Sequence, residues 1–423
     1  MRAILWFLAL FGVAVALALF AGNNQGSISV FWPPWRLDLS VNLVLLLLLG
    51  SFVALHVALR AMAALLDLPG KARDWRMQQK ERAMHAALLD ALSHLLAGRY
   101  VRARKAAQQA LSHERGLQAL GASLPQAAQL RSLAHVLAAE GAQSLQDKAA
   151  RDQHLRLALE APEGGGRASA ETLEGVQLQA ARWLVDDLDA EGALARLEEL
   201  PSGAGRRTAA LRLRLKAARL QRQPLQALET ARLLAKHRAF SSTAARSIVR
   251  ELCVEWLQSA HDPAQLQRAW ESLDPSERQL PDVAMQAARR LVAVGGDAHQ
   301  AREWLLPIWE RMLAEPGALT DHQRVQLVRA IESGRDSVDA QWLSRIETAQ
   351  RNNPRDPNLQ YLAGMACMKR QLWGKAQQLL TQAALALQDP GLHRQACRAL
   401  AELAEQRGDE AAAAEAWKRA AQS

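Results

Sequence analysis

The chain has 423 residues, 52 of them basic and 43 acidic, giving a net charge of +9, and it has three cysteines. Cys253, Cys367 and Cys397 are odd in number and far apart, without Cys-x-x-Cys or Cys/His ligand spacing. That excludes a disulfide framework and leaves reduced thiols acting as small buried apolar residues. A basic chain raises nucleic acid as a partner, but no zinc pattern, RNP-like aromatic motif or helix-turn-helix accompanies the charge, so no nucleic acid is expected.

Two uncharged runs open the sequence, Ala3 to Phe20 and Leu39 to Leu59. Each approaches the roughly 20 apolar residues that let a helix cross the hydrocarbon with its backbone groups bonded internally. A cleaved signal peptide is the rival for the first run, since Arg2 precedes it and small residues lie near Ala21-Gly22. The run exceeds a usual signal core, and a second one follows closely, so two retained spans at about 3–21 and 39–59 are predicted. Between them, Phe31, Trp32 and Trp35 suit the headgroup region. Pro33-Pro34 stops any helix there. Residues 27–31 have strand character but no evident partner. Gly50-Ser51 would let the two spans pack closely. His56 lies inside the second span four residues before Arg60, where it reaches the interface, and Asn42 does the same at the other end.

Basic residues set the orientation. Arg60, Lys71, Arg73, Arg76, Lys80 and Arg82 follow the second span, whereas the loop holds Arg36 offset by Asp38. The amino terminus and the carboxyl-terminal domain are therefore expected in the cytoplasm. Between Arg60 and Arg115 there are 11 Lys/Arg against 5 Asp/Glu, a net of +6. Anionic lipid attracts such a segment by about 1 kcal/mol per basic residue.

Beyond residue 80 the chain is rich in Ala, Leu, Gln, Arg and Glu, and Gly and Pro cluster at 162–167, 201–206 and 352–357. This predicts an all-α region of helices of some 12 to 18 residues. The clearest helical pair spans 359–387, with Gly364 where a partner helix approaches, a turn at Gln371, then Ala376, Leu380 and Ala383 on one face. The plan recurs as Ala401, the turn Gly408-Asp409, then Ala413, Trp417 and Ala420. It also recurs as Ala91, the turn Gly98-Arg99-Tyr100, then Ala103, Ala107 and Ala110. Looser copies place Ala193 and Leu197, Ala227 and Ala231, and Ala301 and Leu305 after turns. Ala193 and Ala227 are 34 residues apart, the tetratricopeptide period, and Ala376 and Ala413 are 37 apart. A helical hairpin cannot bury its apolar face alone, so repeats stack. The expected architecture is a two-helix membrane hairpin followed by a tetratricopeptide-like α-solenoid. Its segments are 1–66 (the spans), 67–115 (basic segment and first helical hairpin), 116–350 (degenerate repeats) and 351–423 (terminal repeats).

The order of these features resembles the HemY family of proteobacterial inner-membrane proteins: two amino-terminal spans, an Arg-x-Trp element (Arg73-Asp74-Trp75-Arg76), a hairpin turn at Gly98-Arg99-Tyr100, degenerate repeats, then Asn352-Asn353-Pro354 before a better-formed repeat. The unrelated flavin oxidase sharing that name has a Gly-x-Gly-x-x-Gly turn that this chain lacks. The resemblance implies an inner-membrane scaffold acting late in protohaem formation. Its partners would be membrane lipid and other proteins, among them late haem-pathway enzymes.

No catalytic constellation stands out: no P-loop, Gly-x-Ser-x-Gly or His-Glu-x-x-His. No catalytic or metal site is assigned. His85, His94, His113, His135, His154 and His237 sit on polar or mixed helix faces, as surface or satisfied histidines do. Haem or porphyrin binding is unassigned, because no Cys-Pro or Cys-x-x-Cys-His marks a ligand. Of Trp183, Trp256, Trp270, Trp304, Trp342, Trp373 and Trp417, most belong in the core and one or two line a groove. The alternative is a general inner-membrane assembly or quality-control adaptor. A third class, an enzyme of porphyrin metabolism with a scattered site, is told apart by a turnover assay.

Overall fold

The structure is a computed structural model that describes residues 11–16, 18–19, 22, 26–121, 126–160, 167–315, 317–333 and 340–422. The expected first span, 3–21, falls largely outside the described residues, as does most of the Gly/Pro cluster at 162–167.

The loop before the second apolar run is a β-hairpin. Strand β1, Ser27–Trp32, pairs antiparallel with β2, Trp35–Ser40, around a cis Pro33-Pro34 turn. This corrects the reading of 27–31 as a strand without a partner. The partner was hidden because Trp35–Ser40 overlaps the start of the apolar run. Ser40 closes β2 and also caps the next helix, accepting a hydrogen bond from Leu43 N at 3.2 Å.

That helix, α1, runs from Val41 to Leu96. Its segment Val41–Ala63 is long and apolar enough to cross a membrane by length and composition, and none of its most apolar window is buried inside the protein. It is the only such helix among the described residues. The expected span at 39–59 thus starts two residues later, and the expected boundary at 66/67 lies inside α1. Pro69 and Gly70 sit mid-helix, where proline supplies no N–H and glycine favours disorder. The basic stretch beyond them, Lys71 to Arg76, is exposed, and the first apolar packing comes at Met77.

Two compact units follow from the contacts, Met1–Gly164 and Gly165–Ser423. In the first, α1 packs on α2 (Tyr100–Ala119), α2 on α3 (Ala127–Ser144) and α3 on α4 (Lys148–Leu159). Alanine makes the crossings close: Ala91, Ala107 and Ala138 are fully buried in one cluster, beside a second built on Met84, Leu111 and Leu117.

The second unit comprises α5 (Arg167–Asp186), α6 (Ala190–Glu198), α7 (Thr208–Leu220), α8 (Pro224–Lys236), α9 (Ser242–Gln258), α10 (Pro263–Glu271), α11 (Pro281–Ala293), α12 (Ala298–Ala314), α13 (Asp321–Ser333), α14 (Ala340–Asn352), α15 (Pro357–Lys369), α16 (Trp373–Ala386), α17 (Pro390–Gln406) and α18 (Glu410–Gln422). Single helical turns at Ser202–Gly205 and Pro275–Arg278 join two of these pairs. Asp-Pro steps start several helices. In α10, α15 and α17, Asp262, Asp356 and Asp389 accept from the first-turn N–H groups while Pro occupies the first helical position. The resulting fold is an all-α stack of helical hairpins.

One turn recurs throughout. A residue with positive φ ends the first helix, and the next N–H reaches back five residues to a carbonyl. Arg99 N donates to His94 O, Asp147 N to Ala142 O, Asp189 N to Leu184 O, Gln223 N to Ala218 O, Leu372 N to Cys367 O and Asp409 N to Ala404 O, all within 2.8–3.0 Å. This is the Schellman bond that satisfies orphan helix carbonyls. Glycine provides the positive φ at Gly98 and Gly408, but Gln146, Leu188, Arg222 and Gln371 provide it elsewhere.

The alanines expected on packed faces are buried, including Ala103, Ala193, Ala227, Ala301, Ala376 and Ala401. Trp417 differs. It is 39% exposed, and its indole N–H donates to Glu405 Oε1 at 2.7 Å. Gly364 is a true close approach: a Cβ there would lie 2.7 Å from Leu380 Cγ.

Two stability outcomes follow from these contacts. Gly364→Ala should destabilise the chain by about 1–3 kcal/mol through overpacking, and Leu380→Ala in the same chain should recover part of that loss in a double-mutant cycle. Leu188→Gly relieves a left-handed leucine that is 73% exposed. It should stabilise by about 0.5–1 kcal/mol, the left-handed penalty less glycine's extra entropy. Thermal melts of the purified chain read both.

Candidate functional site

Three features offer chemistry. The first is the membrane-proximal part of α1. Arg60, Lys71, Arg73 and Arg76 are exposed, and Trp75 is 62% exposed. Arg73 also ties α1 to the end of α2, donating from Nη2 to Leu120 O at 2.5 Å. Lys80 reaches Gly116 O at 3.4 Å. The Arg-x-Trp element therefore braces the first helical pair while presenting its indole outward. His56 is exposed within the apolar segment, and a Cβ on Gly50 would meet nothing within 4 Å. The helix face expected to pack against another span is open among the described residues.

The second feature is a pair of histidines that the structure brings together. His135 on α3 is 5% exposed, and its Nδ1 lies 3.0 Å from Nδ1 of His154 on α4. Their rings stand 5.3 Å apart at 40°. Nineteen residues separate them in sequence, a spacing that matches no local motif. One ring donates and the other accepts, which requires at least one neutral imidazole. Burial, then the neighbouring His154, Arg115 and Arg131, lower the pKa of His135 to about 4. Burial and then Arg104 lower that of His154. Arg131 is paired to buried Glu114 at 2.6 Å, and Arg104 to Asp147 at 3.0 Å. Among the described residues no three His, Cys, Asp or Glu side chains are placed to hold a metal ion.

The third feature is a cavity of about 520 Å³ between α12 and α14. Leu306, Trp309 and Leu313 form its apolar wall, and Arg345, Ser344 and Asn353 its polar one. The Arg345 guanidinium sits 5.5 Å from the centre of the Trp342 ring, and its Nη1 is buried without a hydrogen-bond partner. A buried N–H with no acceptor costs free energy, which an acceptor from another molecule would recover. Sequence reasoning missed both Trp309 and Arg345. Trp309 is 1% exposed and meets the fully buried Trp342 edge to face at 6.0 Å. Trp183 and Trp270 are buried as expected, with Trp304 stacked on Trp270 at 4.7 Å.

The remaining candidates are structural. His85 bonds Glu81 O at 2.8 Å, His94 and His113 are half-buried, and His237 is exposed at the end of α8. All three cysteines are free and buried. Burial pushes the Cys253 thiol up to about 12 and raises those of Cys367 and Cys397, so none is a ready thiolate. Cys397 lies 3.8 Å from His393 Nε2 on the same helix. Arg232 and buried Glu277 meet at 2.5 Å, and Glu277 closes a capping box on Asp274.

An apolar helix long enough to cross a membrane, continuous with stacked helical hairpins, defines an all-α helical-repeat protein with one candidate span among the described residues. Residues 26–146 match the model of the HemY protein N-terminus. The match covers the β-hairpin and α1 to α3, and so includes His135 but not His154. No curated protein matches the chain. Among solved structures, the Cut9–Hcn1 hetero-tetramer of APC/C is similar at 14% identity, with a TM-score of 0.27 over 79% of this chain and 65% of that one. Naa15/Naa10 bound to HypK-THB is similar at 15% identity, with a TM-score of 0.26 over 76% and 56%. The chain thus spans less than two thirds of either protein.

The histidine pair makes stability depend on pH. Unfolded histidine binds a proton near pH 6.5, whereas folded His135 resists it down to about 4. Between those values the unfolded state holds more protons, so stability is complete above pH 6.5 and falls as pH drops towards 4, by roughly 2–3 kcal/mol. Melts at pH 7.5 and 5.0 should show this loss, and His135→Gln should shrink it. An equal acid loss in the variant would assign the effect to other groups.

Proposed function

We propose that this protein is an inner-membrane scaffold without catalytic activity of its own, holding enzymes of late protohaem formation, or porphyrin itself, beside the bilayer. The observation that carries the reading is the double use of α1: one helix is the apolar segment Val41–Ala63 and, from Met77 on, the first packing element of the helical stack. A repeat array so mounted gains nothing from diffusing freely and everything from binding what also lies at the membrane. The match of residues 26–146 to the HemY N-terminus adds the haem setting, which rests on that resemblance alone.

The proposed topology has two spans, with the amino terminus and the helical units in the cytoplasm and the β-hairpin on the far side. Arg60, at the end of the span, then meets the anionic inner leaflet, and the basic residues from Lys71 to Arg82 lie on the same side of the bilayer. In this reading the α12/α14 cavity is a client contact, where Arg345 takes a carboxylate or carbonyl oxygen. General envelope assembly is the second reading, favoured by the same apolar helix and repeat stack if the clients prove unrelated to porphyrin.

Crosslinking in membranes, detergent extraction and mass spectrometry of the captured proteins test the proposal. Enrichment of late porphyrin enzymes is expected, with recovery reduced about 10-fold or more by Arg345→Ala, the worth of one charge-assisted hydrogen bond. Capture of envelope-assembly factors without any porphyrin enzyme would favour the second reading. Sustained porphyrin turnover by the purified chain would overturn the non-catalytic assignment.

A further inference from the structure

We propose that the β1–β2 hairpin is an amphipathic anchor whose apolar face lies in the lipid of the leaflet opposite the helical units. The inference rests on Val41–Ala63 spanning the bilayer. The strand register places Ile28 opposite Leu39, Val30 opposite Leu37 and Trp32 opposite Trp35. Directly opposed residues project to the same face of an antiparallel pair, so these six make one continuous apolar face. Trp32 is 74% exposed, Trp35 73%, Leu37 57% and Val30 45%.

The other face is polar except for Phe31, which Arg36 covers, and its polar groups bond one another. Ser29 donates to the Asp38 carboxylate, Arg36 Nε lies 3.3 Å from the same carboxylate, and the Arg36 guanidinium covers the Phe31 ring at 5.2 Å. Such division between faces marks a surface with water on one side only. An isolated two-stranded hairpin is marginal in water, and an uncovered apolar sheet face is a liability. Something covers it.

The occupant is lipid because the hairpin is continuous with the spanning segment. No residue separates β2 from α1: Ser40 ends one and caps the other, and Val41 N donates to Gly26 O at 3.0 Å, tying both strand ends to the helix end. The base of the hairpin is thus fixed at the level where the apolar helix meets the headgroups. Two tryptophans at the tip suit that zone, where indole buries its ring and keeps its N–H wet.

The test uses the full chain with Cys253, Cys367 and Cys397 changed to alanine, in vesicles of phosphatidylethanolamine and phosphatidylglycerol. Single cysteines across 27–32 and 35–40 carry a nitroxide, and its collisions with oxygen and with a water-soluble nickel chelate are compared. The expected result is a two-residue alternation, with 28, 30, 32, 35 and 37 favouring oxygen by about 5-fold or more over 29, 31, 36 and 38. A label at Leu48→Cys reports the span separately. If Leu48→Cys is lipid-exposed and the hairpin shows no alternation, the anchor is overturned and the span stands. If Leu48→Cys collides with nickel, the spanning reading fails and takes the anchor with it. Spin–spin broadening at the apolar positions would assign the face to a second copy and also overturn the anchor. A second readout keeps the native thiols: quenching of tryptophan emission by brominated lipid should fall in the Trp32→Ala/Trp35→Ala double variant, and unchanged quenching counts against the proposal.

Discussion

The helix α1 passes from an apolar segment into a packed stack without ending, although Pro69 removes one bond from its ladder, and the rest of the architecture is referred to it. Within lipid, a spanning segment must bond every N–H and C=O internally, which only a helix or a closed barrel achieves. Past Ala63 that compulsion ends, and the helix persists through Pro69 and Gly70 although both weaken it. What rewards it further on is burial of Met84, Ala87 and Ala91 against α2. In the proposed topology two different solvents stabilise the two ends of one rod, and the weakest backbone lies between them. The brace from Arg73 to Leu120 O falls just past this point, where it fixes α2 to α1 as soon as the two helices meet.

Beyond α1 the stack is propagated by a backbone device more than by side-chain identity. The Schellman turn repeats with the same bond whether its left-handed residue is Gly98, Gln146, Leu188 or Gln371. Arginines from α13 then stitch distant repeats through their caps: Arg324 binds Asp356 at the start of α15, and Arg329 binds Asp389 at the start of α17. These aspartates each serve a helix terminus and an ion pair at once. Because the pairs are partly buried, they resist screening better than surface pairs do.

This explains what could be read in the sequence. Alanine periodicity identified the packed faces, and Gly364 identified a close approach, because small size is itself the signal. The middle repeats looked degenerate because a left-handed leucine or glutamine leaves no mark that a glycine would. The β-hairpin was half visible. Its first strand alternated correctly, but its second strand merged with the apolar run, and Pro33-Pro34 read as a breaker rather than a turn. The His135–His154 contact and the stranded N–H of Arg345 depend on helices meeting across 19 residues or more, and no local pattern encodes such meetings. Most of the first span falls outside the described residues and the family match begins at residue 26, so composition alone speaks for it.

The exposed stretch of α1 between Ala63 and the first packing residues, Arg73 to Met77, sets a height. At 1.5 Å per residue, 10 to 14 residues of helix lift the first unit about 15–20 Å clear of the bilayer edge. That clearance matches a layer or two of secondary structure. In the proposed topology Trp75 and the arginines around it, all exposed, wall that gap, so the spacer leaves room beside the bilayer for a protein lying on the headgroups.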